Sequence, residues 1–218
     1  MEPTDDNRRA WDEIHRSRAE AMAGQLGIPD GIRALLPDLE GKHVLHLLCA
    51  TGESTAQLVE LGALVSAVDI STEALEVARR RAPDVAYVHA DVHELPLELR
   101  RARFDLVFSG GGVLSWLRDL DAWANGIVNA LRPGGLLLFY DDHPVSACLD
   151  ALGHWRDDYF DESSEERERH WQLGQVVDAV SGAGLAVQRL VEFQTLYSWP
   201  QRDRRVPWDF ALLAERVE

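Results

Sequence analysis

The chain has 218 residues, and its hydrophobic content of 46% is enough for a sizeable core, which excludes disordered and fibrous proteins. Its 22 basic and 37 acidic residues give a formal net charge of -15. A surface this acidic repels phosphate backbones and anionic lipids, so we expect neither nucleic acid nor a membrane as the partner.

Cysteine usage and the hydropathy pattern predict a cytoplasmic protein. Cys49 and Cys148 form at most one bridge in a domain too large to need it, which favours a reducing compartment. No apolar run approaches the roughly 20 residues of a membrane span. The first residues, MEPTDDNRRAWDE, lack the basic end and apolar run of a signal peptide.

Along the chain, a charged N-terminal helix is predicted over residues 5–24, ending at Gly24. From Gly41 onward, short apolar runs alternate with helical stretches, a pattern typical of a parallel sheet covered by helices on both faces. The predicted strands are residues 43–48, 64–70, 85–89, 104–109, 136–140, 185–193 and 209–217, and the predicted helices are 53–61, 120–131, 172–181 and a helix from a Ser71 cap to Pro83.

These elements predict an α/β fold with a Rossmann-like, doubly wound sheet of seven strands, mostly parallel with one antiparallel strand. We assign residues 1–218 to a single domain. The segment at about 144–171 breaks the alternation with aromatic residues and the acidic run DESSEERERH. We interpret it as an insertion on the substrate side of the sheet.

The first strand-to-helix turn, HLLCATGES, is the strongest candidate for a ligand site, because doubly wound sheets bind ligands at the carboxyl ends of their central strands. Its Gly52 is the only glycine of the turn, so the dinucleotide fingerprint is not met. Asp69 ends the next strand, 17 residues later, where a carboxylate can bind both ribose hydroxyls, or else cap a helix or meet solvent. Asp91 follows the third strand at the same edge, as a second ligand-binding carboxylate or a surface aspartate.

Five segments in this order resemble the motifs of class I S-adenosylmethionine (SAM) dependent methyltransferases over roughly residues 8–218. The segments are VLHLLCATGEST, VSAVDIS, HADVHELP, FDLVFSGGGVLSWL and LRPGGLLLFYDDHP. Within this family, the chain resembles a subgroup of bacterial enzymes that read VLHLQC in the first motif and carry His-Pro after the fifth strand. The resemblance implies SAM as cofactor, S-adenosylhomocysteine (SAH) as product, a small-molecule substrate and a monomer or homodimer.

The same resemblance implies roles for individual residues. Asp69 would bind the ribose hydroxyls and Ile70 would pack on adenine, while Asp91 would accept from the adenine amino group and Val92 would donate its backbone N–H. Gly52, Leu48 and Cys49 would lie along the methionine moiety, with Ser109 beneath it. Trp11 resembles the aromatic lid of the family, which makes helix 5–24 the lid helix, with core packing as the alternative.

The chain departs from the family in its first motif. The family usually has an acidic residue where this chain has His46, and glycines where it has Leu48 and Ala50. A neutral His46 cannot anchor the methionine ammonium as a carboxylate would. It either takes another cofactor role or is a satisfied histidine within the strand.

Catalysis needs a base only if the methyl acceptor is protonated. His143 is the best candidate, because it follows the fifth strand at the active edge and titrates near neutral pH, although it can equally order a loop beside Pro144. Asp141 and Asp142 do not predict a metal site, and Cys49 is interpreted as a small core residue rather than a nucleophile.

Substrate recognition is assigned to the insertion. Its aromatic residues suit a planar or apolar small molecule, or else they attach the insertion to the sheet. They are Trp155, Tyr159, Phe160 and Trp171.

The sequence thus predicts methyl transfer from SAM to O, N or C of a small molecule, in a bacterial specialised pathway. One alternative is a SAM-binding accessory or sensor protein that has lost catalysis, as the altered first motif allows. Another is a nicotinamide-dependent oxidoreductase, which is disfavoured by the missing glycines and by the absence of a Tyr-x-x-x-Lys pair, since Lys42 is the only lysine.

Overall fold

The computed structural model describes Arg9, Asp12 and residues 27–150, 153–160, 170–197 and 203–217. The strands are β1 (His43–Leu47), β2 (Leu64–Asp69), β3 (Ala86–His89), β4 (Phe104–Gly110), β5 (Leu131–Asp142), β6 (Leu185–Phe193) and β7 (Asp209–Arg216). The helices are α1 (Asp30–Arg33), α2 (Glu53–Glu60), α3 (Thr72–Arg81), α4 (Leu120–Ala130), α5 (Pro144–Ala147) and α6 (Leu173–Gly182), and short 3-10 helices cover Val92–Glu94 and Leu114–Trp116.

The strands form one seven-stranded sheet in the order β3-β2-β1-β4-β5-β7-β6. The first five are parallel, and β7 runs antiparallel between β5 and β6. This confirms the predicted fold class. The strand order reverses between β1 and β4, and doubly wound sheets open a crevice at such a point, outside the carboxyl ends of the strands. We call this side of the sheet the carboxyl edge.

Apolar side chains cover both faces of the sheet, as the continuous apolar runs predict. One core packs the sheet against α4 and α6, with Leu45, Leu47 and Trp123 among its buried residues. The other packs it against α1, α2 and α3 and includes Val44 and Leu58. Because neighbouring residues of a strand point to opposite faces, β1 contributes to both cores, and both fix its end at the carboxyl edge.

Two element boundaries differ from the predictions for local reasons. Strand β5 begins at Leu131 and not at residue 136, because the chain through Pro133 continues beside β4 with a shift in register between Phe104 and Leu106. The short α1, α5 and 3-10 helices were not predicted, since single turns are too short for a periodic pattern. The predicted cap is confirmed, because Ser71 Oγ accepts from Ala74 N at 3.1 Å.

The predicted lid helix at 5–24 and its Trp11 lie outside the described residues, except for Arg9 and Asp12. Asp12 Oδ1 accepts a hydrogen bond from Ser71 Oγ at 2.7 Å. This contact brings Asp12 to the first turn of α3, next to the end of β2. Within the part of the chain that the structure describes, no helix is long and apolar enough to cross a bilayer.

Candidate functional site

The loop between β1 and α2, residues 48–52, has an unusual backbone, and we call it the β1 loop. Leu48, Ala50 and Gly52 have φ angles of 53°, 46° and 80°, so every second residue is left-handed. Left-handed geometry costs roughly 1–2 kcal/mol for a residue with a Cβ. Leu48 and Ala50 therefore adopt a left-handed backbone conformation at the two positions where the resemblance implies glycine. Such strain is typical of functional sites.

The Asp69 carboxylate, at the end of β2, accepts a hydrogen bond from the backbone of the β1 loop. Its Oδ2 accepts from Ala50 N at 2.8 Å, and its Oδ1 accepts from Ser71 N at 2.9 Å. The residue is 7% exposed. The carboxylate therefore joins the β1 loop to the start of α3 at the carboxyl edge.

Arg81 of α3, which no sequence pattern indicates, also bonds to the β1 loop. Its guanidinium donates to Thr51 O and forms an ion pair with Glu53 at 2.9 Å. Glu53 Oε2 also accepts from Thr51 Oγ1 at 2.7 Å. No signal in the sequence points to this contact, because Arg81 lies 30 residues from Thr51 and follows two other arginines at the end of α3.

Gly52 is needed for packing as well as for its backbone conformation. A Cβ at this position would lie 2.8 Å from Ala78 Cβ and 3.1 Å from Ala78 Cα in α3. Gly52 therefore allows α2 and α3 to approach closely. The side of Gly52 on which a Cβ would lie faces α3. The position along the methionine moiety that the resemblance implies stays a prediction.

His46 and Cys49 are placed in the core rather than in an open cleft. His46 is 3% exposed, its Nδ1 lies 2.8 Å from Thr55 Oγ1, and its ring packs edge-on against Phe108. Burial lowers the pKa of His46 to about 3, so the ring is neutral. Cys49 is also buried, and burial together with Asp69 raises the pKa of its thiol well above its ordinary value. Nδ1 of His46 is thus bonded within the core and Cys49 is a protonated thiol, while a role of either residue beside the cofactor stays a prediction.

Asp91 and Val92 stand after β3 at the carboxyl edge. Asp91 Oδ1 accepts from both His93 N, at 2.9 Å, and His93 Nδ1, at 2.6 Å. Val92 is buried, and Ile70 at the end of β2 is half-buried. The expected adenine residues therefore line one edge, and Asp91 is oriented by His93.

Ser109 brings a buried polar atom to the end of β4. Its side chain is fully buried, and its Oγ has no hydrogen-bond partner in the described structure. In register, Ser109 lies between Leu47 of β1 and Phe139 of β5. An orphaned hydroxyl in apolar surroundings is costly, so Ser109 is consistent with a ligand above it.

Asp141 anchors the loop that follows β4, residues 111–118, which we call the β4 loop. Its buried carboxylate accepts from Gly112 N at 3.1 Å, Val113 N at 2.7 Å and Leu114 N at 2.9 Å. Burial and the charge of Asp142 raise the pKa of Asp141 to about 7, although the backbone hydrogen bonds act in the opposite direction. The sequence predicts only that Asp141 and Asp142 do not form a metal site, and nothing in it indicates this anchoring role.

His143 uses its ring nitrogens within the fold. Nδ1 accepts from Val145 N at 3.1 Å and so caps α5, and Nε2 lies 3.1 Å from Glu192 Oε1, without the alignment of a hydrogen bond. Burial lowers the pKa of His143, although Glu192 acts to raise it. Because Nδ1 accepts, the proton of the neutral ring is on Nε2, and the ring has no spare lone pair for a substrate proton.

The aromatic residues of the insertion occupy different environments. Trp155 is 62% exposed, whereas Tyr159 is half-buried and its hydroxyl accepts from Leu173 N at 3.0 Å. Trp171 packs against the core and donates from Nε1 to Leu117 O at 2.6 Å. Trp155 is thus presented to solvent, while Trp171 fastens the β4 loop to the start of α6.

Two tyrosines that no sequence pattern indicates, Tyr140 and Tyr197, lie near each other beside the β4 loop. Tyr140 is buried, and burial together with the nearby Tyr197 raises the pKa of its hydroxyl. Burial and nearby carboxylates raise the pKa of Tyr197 to about 12. Among the described residues, no group of His, Cys, Asp and Glu is arranged to hold a metal ion.

Comparisons with known proteins find similarity to methyltransferases. Residues 45–139 match the family described as a methyltransferase domain. The chain is 36% identical over 110 residues to a malonyl-[acyl-carrier protein] O-methyltransferase of Enterobacter lignolyticus, over 50% of this chain and 43% of that protein. It is 34% identical over 152 residues to the O-methyltransferase cnsE of Penicillium expansum, over 65% and 52% of the two chains.

The matches span about half the length of these two relatives. A solved structure shares the fold over a larger part of the chain. It is an S-adenosylmethionine dependent methyltransferase from Mesorhizobium loti, with a TM-score of 0.72 and 26% identity over 86% of this chain and 96% of that chain.

Proposed function

Since the chain carries a methyltransferase domain with the fold of the class I SAM-dependent methyltransferases, we propose that it transfers a methyl group from SAM to an O, N or C atom of a small molecule. The observation that carries this proposal is the β1 loop with Asp69 beneath it, at the strand-order reversal. Oxygen is the first acceptor to test, because both relatives above are O-methyltransferases. We place the reaction in bacterial specialised metabolism.

The residues that would bind SAM fit its chemistry along the carboxyl edge. Asp69 would offer its buried carboxylate to the ribose hydroxyls, and Asp91 would offer its half-buried carboxylate to the adenine amino group. Ile70 and Val92 supply apolar surface beside them, and Ser109 supplies an unpaired hydroxyl. Since His46 is neutral and buried, the methionine ammonium is proposed to bind the β1 loop and its surroundings without a carboxylate from β1.

Methyl transfer demands mainly positioning from the protein. When bound, SAM supplies an already activated methyl group, so the chain has to hold an acceptor in line with it and exclude water. The β1 loop and the anchored β4 loop provide rigid backbone for this purpose at the ends of adjacent strands. An acceptor that arrives deprotonated then needs no base.

His143 is the residue whose predicted role the geometry changes most. If it is the general base, both His143→Asn and His143→Ala lower turnover by about 10²–10⁴-fold. If it is a helix cap, asparagine keeps the cap, while alanine loses about 1 kcal/mol of folding stability. We expect the second result, because Nδ1 already accepts from Val145 N. Turnover and urea unfolding of the two variants distinguish these outcomes, and an equal large loss of turnover contradicts the capping role.

The insertion is proposed to determine the acceptor, with Trp155, Tyr159 and Trp171 as its aromatic residues. We expect Trp155→Ala to lower turnover of the true substrate while SAH affinity changes by less than a few-fold, because loops on a rigid sheet carry specificity. The side chain is 62% exposed, so its loss should leave folding stability unchanged. Leu64→Ala is the control and should leave turnover unchanged, because Leu64 is 54% exposed and begins β2, at the opposite edge of the sheet. Loss of SAH affinity with Trp155→Ala contradicts this assignment.

Two assays test the proposed function against its alternatives. Incubation with methyl-labelled SAM and a bacterial metabolite extract is expected to give a labelled small molecule. SAM binding without any transfer supports the accessory or sensor alternative instead. Thermal unfolding with SAM, SAH and NAD is expected to show stabilisation by the first two only, since NAD stabilisation indicates an oxidoreductase.

A further inference from the structure

The β4 loop is held at three points by side chains from separate elements. Asp141 of β5 accepts from the backbone N–H groups at its start, and Trp171 donates to Leu117 O near its end. The third contact comes from the cofactor side, where His93 Nε2 accepts from Arg118 N at 3.2 Å. The loop is therefore joined to the substrate side and to the proposed adenine side.

The hydrogen bonds of His93 determine where its proton lies. A backbone N–H can only donate, so Nε2 of His93 accepts from Arg118 and carries no proton. The proton of the neutral ring is then on Nδ1, from which it is donated to Asp91 Oδ1 at 2.6 Å. The His93 ring thus accepts a hydrogen bond from Arg118 N–H at Nε2 and donates one to the Asp91 carboxylate from Nδ1.

Both side chains of this pair are largely buried, which makes the connection specific. The His93 and Asp91 side chains are 17% and 20% exposed. The backbone N and the ring Nδ1 of His93 both bond to the same oxygen, Oδ1, so the position of this oxygen and the orientation of the ring are linked. Because Nδ1 and Nε2 belong to one rigid ring, the same ring orientation also determines the bond to Arg118 in the β4 loop.

We infer that His93 is a positioning residue that couples cofactor binding at Asp91 to the placement of the β4 loop. This inference rests on the proposed function, since it takes Asp91 as the adenine contact. The adenine amino group would hold the Asp91 carboxylate in one orientation, and His93 would transmit that orientation to Arg118. Cofactor binding would then order the loop that adjoins the acceptor site. Linkage requires the reverse effect, so that an ordered loop raises cofactor affinity.

Hydrogen exchange with SAH as the probe tests the coupling without a known acceptor. In the wild-type protein, SAH is expected to slow exchange of the Val113, Leu114 and Arg118 amides by about 5-fold or more. In His93→Ala, SAH still binds through Asp69, but this protection is lost. His89→Ala is the matched control, because His89 bonds to Ile70 O at the same edge and has no such bond to the β4 loop. Equal protection in His93→Ala and in the wild type overturns the coupling.

A double-mutant cycle on SAH affinity gives a second, independent readout. Asp141→Asn loosens the opposite end of the β4 loop and is expected to weaken SAH binding about 5-fold in the wild type. In the His93→Ala background the same change should weaken binding less than about 2-fold, because the connection is already broken. Equal effects in the two backgrounds overturn the inference. Absence of SAH binding to the wild type overturns the proposed function and this inference together.

Discussion

Replacing Asp69 by alanine is expected to weaken SAM binding by about 2–4 kcal/mol, or roughly 30- to 1,000-fold, because two charge-assisted hydrogen bonds to the ribose are lost. The structure adds a second consequence. Ala50 N and Ser71 N lose their acceptor, so the free energy of unfolding should also fall, by about 1–3 kcal/mol. Calorimetric titration with SAM, below the unfolding transition, measures the first effect.

The matched control is Asp84→Ala. Asp84 is exposed and precedes β3, at the opposite edge of the sheet, so its removal deletes the same charge far from the site. We expect SAM affinity to be unchanged in this variant. Equal affinities in Asp69→Ala and the wild type would remove Asp69 from the site.

Replacing Gly52 by alanine is expected to lower the free energy of unfolding by about 2–5 kcal/mol, the combined cost of left-handed strain and an overpacked contact. Gly41→Ala is the control for strain alone, because Gly41 has a φ of 67° and nothing within 4 Å of the added Cβ. It should cost about 1–2 kcal/mol. Urea unfolding of both variants measures the difference between their free energies of unfolding, which is the cost of the contact with Ala78.

A partner substitution tests the packing part of this prediction. The added Cβ at Gly52 meets Ala78 Cβ at 2.8 Å, so Ala78→Gly should recover part of the loss in the double variant. The expected coupling is about 1–3 kcal/mol. Additive effects, or equal losses for Gly52→Ala and Gly41→Ala, contradict the contact with α3.

The fold was predictable because its signals are local and repeated. Continuous apolar runs separated by amphipathic helices indicate a parallel sheet, and Ser71 before an acidic first turn indicates a cap. The last two predicted strands, which correspond to β6 and β7, also indicated that an antiparallel pair closes the sheet. Single-turn elements such as α5 have no such repeat, and the pairing of β5 before residue 136 depends on a neighbouring strand.

The site was predictable only where its signal is a position at the end of a strand. Asp69 and Asp91 stand where the topology brings carboxylates to one edge, so their placement follows from the order of elements. The contact of Arg81 with Thr51 and that of Asp141 with Val113 join residues far apart in sequence, and no spacing rule predicts them.

The histidines show most clearly which features of the site cannot be predicted from the sequence. His46, His93 and His143 all stand near the carboxyl edge, yet they differ in what their ring nitrogens contact. His46 bonds to a threonine in the core, His93 links two loops and His143 caps a helix. The type of residue and its place in the sequence do not distinguish these roles, because the tautomer and the partners depend on tertiary structure.

A crystal structure of the protein with SAH bound tests the central claim most directly. We predict electron density for SAH along the carboxyl edge, with the ribose hydroxyls hydrogen-bonded to Asp69 and the adenine amino group hydrogen-bonded to Asp91. Density for SAH at any other place on the sheet, or ribose hydroxyls without contact to Asp69, would contradict the account.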